Sequence, residues 1–370
     1  MCLKGRALTP EQREALYRIY NKSSQNATNR TISENPSFQD IEQDAINAMG
    51  TTYFDTSTSI AVTILFALLI IFGTALNGFV VSIVIRNKKL HSQVNAFIVN
   101  LAISDMVMCL VCVPFSLVRL TLKDWVFGEA LCKVIPTLQC IIVFASTISI
   151  TSIALDRFYV IVRNRTHKQR QKCRFNTKAL LITIWLVSIT VSLPIMIYQN
   201  EVNHIILEGI EMKSRYVCIE TWPNDSYKVV YCVVVLVLQL FLPAITLSTL
   251  HWRICRFLKR RISSPSDTTI DALPRSMTSS AIRRGGTNTQ RRYYKNARLL
   301  VTIIVMFALV WFPMTFLNLL VDFKQELFFY NKTFSLSYAI VLWVAMVSAC
   351  INPLLYGWFN SNFRTEFLTS

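Results

Sequence analysis

Asp105 is the one formal charge near the middle of any long apolar run in this chain of 370 residues. A carboxylate in hydrocarbon is costly unless hydrogen-bond partners or a cation compensate, so such a residue marks a functional site by default. Asn77, Ser146, Ser348 and Asn352 lie at depths where they can meet it. The alternative is a neutral, hydrogen-bonded structural Asp. A second polar set, Gln139, Thr315, Asn318 and Asp322, occupies the ends of two other runs. Asn318 and Asp322 are four residues apart and share a helix face. A carboxylate beside an amide can hold a guanidinium through charge-assisted hydrogen bonds, while Gln139 can pair with an amide deeper in. Alternatively, Asp322 merely ends its helix in water. The sequence contains no paired intramembrane acids, HExxH or nucleophile motif, so no enzymatic activity is expected.

These residues need a scaffold that carries polar groups inside apolar surroundings. With 53% hydrophobic and only 16% charged residues, the composition is not that of soluble domains. Seven runs are almost free of charge: Ser57–Ile85, Val94–Val118, Val134–Leu155, Ala179–Tyr198, Val229–Leu250, Leu299–Val321 and Thr333–Phe359. Each is long enough to cross a hydrocarbon core of about 30 Å as a helix. Backbone groups in lipid must be satisfied within the segment, which favours a helical bundle over a barrel. The expected fold is an all-α membrane protein, a seven-transmembrane helix bundle.

The net charge of +17 is distributed by topology. Lys88 and Lys89 follow the first run, a cluster from Arg163 to Lys178 follows the third, and a basic stretch from Arg253 to Arg298 joins the fifth and sixth. The positive-inside rule makes these loops cytoplasmic and places the N-terminus outside, so no nucleic-acid partner is implied. The glycosylation sequons at Asn21, Asn26, Asn29, Asn224 and Asn331 all fall on the predicted outer face, and only Asn164, read as a chance match, falls inside. The N-terminus lacks the apolar core of a cleavable signal, so the first run is expected to act as its own anchor in the plasma membrane. Of ten cysteines, only Cys2, Cys132 and Cys218 face the oxidising side, which pairs Cys132 with Cys218. No Cys/His spacing suits a metal.

Residues 1–56 read as a polar, glycosylated outer tail, 57–358 as the membrane domain with a flexible basic inner loop over 256–292, and 359–370 as a membrane-surface helix and tail. The surface helix rests on Phe359, Phe363 and Phe367, spaced four apart. Between runs four and five, His204–Trp222 holds two β-prone pieces around Lys213–Ser214. These predict an extracellular β-hairpin.

Several short motifs occur in order along the chain: Asn77 in GTALNGFVV, Leu101-Ala102-Ile103-Ser104-Asp105, Asp156-Arg157-Phe158, Trp185, Pro243, Phe307 with Trp311-Phe312-Pro313, and Asn352-Pro353-Leu354-Leu355-Tyr356. From about Thr58 to Leu368 the chain resembles the rhodopsin-like (class A) G-protein-coupled receptors. The resemblance implies a sodium site at Asp105, Ser146 and Asn352 near Asn77, with no other cofactor, and a pivot at Trp311 beneath the ligand. It also implies a cytoplasmic switch in which Arg157 leaves Asp156 for a heterotrimeric G protein as the sixth helix swings about Pro313, with Phe307, Pro353 and Tyr356 in the same machinery. Arrestin and receptor kinases are implied partners beside membrane lipid. The chain departs from the usual pattern at Phe158, His251 and Tyr293, which leaves the inner lock resting chiefly on Asp156.

Gln139 stands where amine receptors resemble one another in an Asp, and Met346 where opsins carry the Schiff-base Lys. Gln139, Asn318 and Asp322, with Asp124-Trp125-Val126-Phe127-Gly128 and the stretch after the seventh run, resemble the neuropeptide Y and neuropeptide F receptor group. That resemblance implies an amidated peptide ending Arg-aromatic-amide, with Asp322 and Asn318 on its arginine, Gln139 on its amide, Trp311 and Thr315 lining the site, and signalling through inhibitory Gi/o. RF-amide and tachykinin-like receptors share parts of the pattern. A channel or transporter would show internal repeats or several intramembrane charges, and neither is visible.

Overall fold

The computed structural model describes residues 52–122, 124–162, 176–208, 211–263, 309–320 and 332–359. Among the described residues six helices are long and apolar enough to cross a membrane, and Leu309–Leu320 forms a shorter apolar helix. We label them α1 (Thr56–Arg86), α2 (Gln93–Thr121), α3 (Gly128–Val162), α4 (Thr177–Tyr198), α5 (Asp225–Leu236, Val237–Phe241 and Leu242–Ser263), α6 (Leu309–Leu320) and α7 (Lys332–Phe359). The predicted sodium and disulfide residues and most of the predicted hairpin fall within the described residues. Asp322, Phe307, Asn21, Asn26, Asn29, Asn331, the distal tail, most of the inner loop and the surface helix lie outside them. Of Arg157 and Tyr356 only the helical backbone is described.

Local chemistry sets the helix ends. Asp55 caps α1 by accepting from the Thr58 N–H at 3.2 Å, Ser92 caps α2 through the Asn95 N–H at 3.3 Å, and Asn224 caps α5 through the Ser226 N–H at 2.9 Å. Among the described residues two helices carry a π-helical turn, Met108–Cys112 in α2 and Val237–Phe241 in α5. Each lies just before a proline, Pro114 and Pro243 respectively. Proline lacks an N–H and crowds the preceding carbonyl, and one wider turn absorbs both defects.

Burial shows which helices are central. In the most apolar window of α2, 56% of residues are buried, against 17% in α4 and 11% in α5, which leave most of their apolar surface for lipid. α3 packs against α2, α4 and α5, and α7 against α1 and α2. One core cluster joins Phe66, Cys109, Val113, Ile142 and Ala345, and a second joins Phe97, Leu101, Val80, Ala145 and Ile184. Without water, polar side chains between helices must satisfy one another. Trp185 accordingly donates to Asn100 Oδ1 at 2.9 Å and Asn100 Nδ2 to Ser149 Oγ at 3.0 Å, joining α2, α3 and α4.

At one end of the bundle an antiparallel hairpin, β1 (Gln199–Glu208) and β2 (Glu211–Glu220), continues directly from α4. The hairpin is as expected, but its reversal is not at Lys213–Ser214. The register pairs Glu208 with Glu211, so both residues fall inside β2 and the strands begin at Gln199 rather than His204.

Candidate functional site

Two cavities lie one above the other inside the bundle. The upper, of about 350 Å³, opens toward the hairpin end. The lower, of about 60 Å³, surrounds Asp105. Trp311, Val143, Ala345 and Met346 line both, so one layer of side chains floors the upper cavity and roofs the lower.

Asp105 is 6% exposed in the π-turned helix α2. Asn352, in the turn of α7 interrupted by Pro353, donates to Asp105 Oδ2 at 2.9 Å. Ser146 of α3 and Ser348 of α7 line the same cavity. Ser348 Oγ is turned back to the Ala345 carbonyl at 2.6 Å, whereas Ser146 Oγ is buried with no hydrogen-bond partner among the described residues. An unsatisfied buried hydroxyl beside a carboxylate in a void that size suits a small hydrated or partly hydrated cation. Asn77, expected near this group, also ties α1 to α7: its Nδ2 donates to the carbonyls of Gly73 and Ala349, both at 2.8 Å.

The wall of the upper cavity is fixed by the disulfide Cys132–Cys218, which spans 86 residues and fastens β2 to α3 as the cysteine distribution predicts. Buried Gln199 donates to Cys218 Sγ at 3.1 Å. The Asp124–Gly128 segment packs on the same strand. Asp124 Oδ1 accepts from the Tyr216 N–H at 2.9 Å, the Trp125 N–H donates to the Tyr216 carbonyl at 2.7 Å, and the Trp125 indole donates to the Gly128 carbonyl at 2.9 Å. Gly128 has φ +76°, a conformation that favours glycine, and it starts α3. The Trp125 and Phe115 rings meet Phe127 edge to face at 5.2 and 4.8 Å.

Of the predicted ligand residues, Gln139, Trp311, Thr315 and Asn318 all line this cavity. Gln139 Oε1 accepts from Ser116 Oγ at 3.3 Å. Asn318 Oδ1 accepts from Tyr338 Oη of α7 at 3.0 Å. The cavity also recruits residues that the sequence did not single out: Tyr53, Ser116, Arg119, Glu220, Lys228 and Gln239. Glu220 stands two residues after Cys218, so the disulfide delivers it to the wall. There Trp222 Nε1 donates to its Oε2 at 2.7 Å, and the Trp222 ring lies 4.2 Å from Tyr198 and 5.3 Å from Tyr231. That spacing from Cys218 was the available signal.

Asp156, Arg157 and Pro313 occupy the expected helices: Asp156 and Arg157 in α3, Pro313 in α6. Nearby at that end, Ala154 of α3 packs with Leu247, Leu250 and Ile254 of α5. Asn224, the sequon residue among the described positions, is exposed at the hairpin end.

A membrane bundle with a side chain-lined cavity at one end, a buried Asp–Asn pair at its centre and a disulfide-fastened hairpin defines a receptor scaffold. Residues 76–356 match the family described as 7 transmembrane receptor (rhodopsin family), and the chain belongs to that family of class A G-protein-coupled receptors rather than to any family of enzymes. Within it, the chain is 35% identical over 310 residues to a neuropeptide F receptor of Drosophila melanogaster, covering 82% of this chain and 60% of that receptor. It is 31% identical over 324 residues to a neuropeptide Y receptor type 2 of Gallus gallus, covering 85% and 77%. It is also 30% identical over 323 residues to a protein of Caenorhabditis elegans described as putative neuropeptide Y receptor 11, covering 86% and 77%.

Proposed function

We propose that this chain is a plasma-membrane receptor, with its N-terminus and hairpin outside, for an amidated neuropeptide ending Arg-aromatic-amide, and that it activates an inhibitory Gi/o protein. The observation that carries the reading is the upper cavity: about 350 Å³, with a carboxamide at Gln139, the Glu220 carboxylate on its wall, and a floor shared with the Asp105 cavity. The volume lies in the range of ligand sites. Gln139 can both accept from and donate to a terminal amide. The ligand arginine would meet Asn318 and Asp322. The relatives are described as receptors for neuropeptide F or neuropeptide Y, which supports a neuropeptide as the ligand.

A peptide that reaches Trp311 changes the roof of the lower cavity, and two packings of that layer provide the two states that ligand binding must favour unequally. Asp105, Ser146 and Asn352 would hold a sodium ion, which supplies a positive charge to the buried carboxylate and favours the packing in which the cavity is open to it. At the opposite end, Arg157 would leave Asp156 for the G protein as α6 moves about Pro313, and arrestin and receptor kinases would act on the same face. Sequons at Asn21, Asn26, Asn29, Asn224 and Asn331 would carry glycans.

The test is a panel of amidated peptides, including RF-amide and tachykinin-like members, applied to cells expressing the full chain, reading cyclic AMP, calcium and nucleotide exchange on G proteins. Peptides ending Arg-Phe-amide or Arg-Tyr-amide are expected to lower cyclic AMP. Binding without exchange on any G protein would refute the signalling role, and a response confined to tachykinin-like peptides would refute the ligand class.

A further inference from the structure

The segment before α1 is part of the cavity wall. Thr52 forms an antiparallel bridge with Leu122, the Tyr53 N–H donates to the Thr121 carbonyl at 3.1 Å, and Phe54, 3% exposed, is buried in the core cluster beside Leu120. Tyr53 is thereby held against the last turn of α2, where both it and Arg119 line the upper cavity. Arg215 of β2, 4% exposed, approaches from the hairpin. Its field and that of Arg119 both reach the Tyr53 phenol, which burial otherwise pushes well above its ordinary range.

Arg119 is the exposed positive charge that this wall presents to the cavity, beside Tyr53. The acid closest in sequence, Asp124, is committed to the Tyr216 N–H, and among the described residues no carboxylate forms an ion pair with Arg119. The wall also lies beside the amide subsite. Arg119 is three residues beyond Ser116, the partner of Gln139, and so about 4.5 Å higher along α2.

We propose that Arg119, with the Tyr53 hydroxyl beside it, forms a subsite for a carboxylate of the peptide, separate from the residues that receive its arginine and amide. This rests on the peptide reading above. A ligand whose terminal amide sits at Gln139 rises at about 3.3 Å per residue when extended. With the reach of the guanidinium added, the acidic residue falls roughly third to sixth from the C-terminus. The subsite thus selects among Arg-aromatic-amide peptides according to what precedes that ending, and it makes the anchored tail a ligand contact.

The experiment uses the full-length receptor in cell membranes. Its probes are synthetic peptides ending Arg-Phe-amide that carry Glu, Gln or Lys in turn at the third to sixth residue from the end. Because Arg119 is exposed, the effect is modest: at one position the wild type should bind the Glu peptide about five- to tenfold more tightly than the Gln peptide. Arg119→Ala should erase that preference, Arg119→Lys should retain part of it, and Arg119→Glu should favour the Lys peptide. Tyr53→Phe, which keeps the ring packing, should reduce the preference without abolishing Gln-peptide binding. Equal binding of Glu and Gln peptides at all four positions, or a preference that survives in Arg119→Ala, would overturn the subsite while leaving the peptide reading intact. A wild type that binds none of the peptides would overturn both.

Discussion

Gly73→Ala should destabilise the contact between α1, α2 and α7 by a predictable amount. A Cβ at position 73 would lie 2.5 Å from Cys109 Sγ and 3.3 Å from Cys350 Sγ, whereas carbon contacts are comfortable at about 3.5–4 Å. Cys109 is 0% exposed, so its thiol cannot swing into open space. Overpacking of this kind costs about 1–3 kcal/mol, and replacing a mid-helix glycine by alanine returns about 1 kcal/mol, which leaves a net loss of up to about 2 kcal/mol. Thermal unfolding of the purified receptor in lipid nanodiscs reads this as a drop in Tm of about 2–4 °C per kcal/mol. The geometry also predicts the rescue. Cys109→Ala removes the offending sulfur and leaves its Cβ 3.7 Å from the new methyl, an ordinary contact. Gly73→Ala should therefore cost about 1 kcal/mol less in the Cys109→Ala background than in the wild type. Strictly additive losses would refute Cys109 as the cause.

Asp105→Asn keeps the shape of the lower cavity but removes its charge. Agonist affinity should fall when sodium replaces an organic cation in the wild type and stay constant in the variant, and a variant that still responds to sodium would exclude Asp105 from the ion site. Glu220→Gln retains an acceptor for the Trp222 indole and should weaken a peptide rich in basic residues by roughly five- to thirtyfold, with little change for a neutral analogue. Equal losses for both peptides would indicate a wall defect instead. Asp322→Ala should weaken an Arg-containing peptide by on the order of 2–3 kcal/mol if the pair is desolvated, and an unchanged response would remove Asp322 from the site.

The parts of the site legible in the sequence were those that lipid makes conspicuous. A lone acid in an apolar run has no bland surface explanation, so Asp105 stood out, and Asn352 was among the few groups able to meet it. Cys132 and Cys218 emerged because topology left almost no other pair. Glu220 and Arg119 were illegible for the opposite reason: they sit in stretches where charge is common, and only the disulfide and the path of α2 bring them to the cavity. Tyr53 lay in a polar tail, and the aromatic pair Tyr53-Phe54 before the capping Asp55 was its one hint. Polarity suggests a turn at Lys213–Ser214, whereas strand register follows pairing across the whole ladder, which puts both residues inside β2.

The π-helical turns before Pro114 and Pro243 have an angular consequence. An α-helix advances about 100° per residue, so the additional residue accommodated at each wide turn offsets everything beyond it by roughly that angle. Deleting one residue from 108–112 would restore a regular helix and yet carry Ser116 and Arg119 away from the upper cavity while leaving Asp105 in place. In α5 the same phase shift separates the turns bearing Lys228 and Tyr231 from those that present Leu247, Leu250 and Ile254 to α3. Each of these two helices is angularly two helices in series. The half that meets the ligand can diverge in sequence and orientation without disturbing the half that packs below.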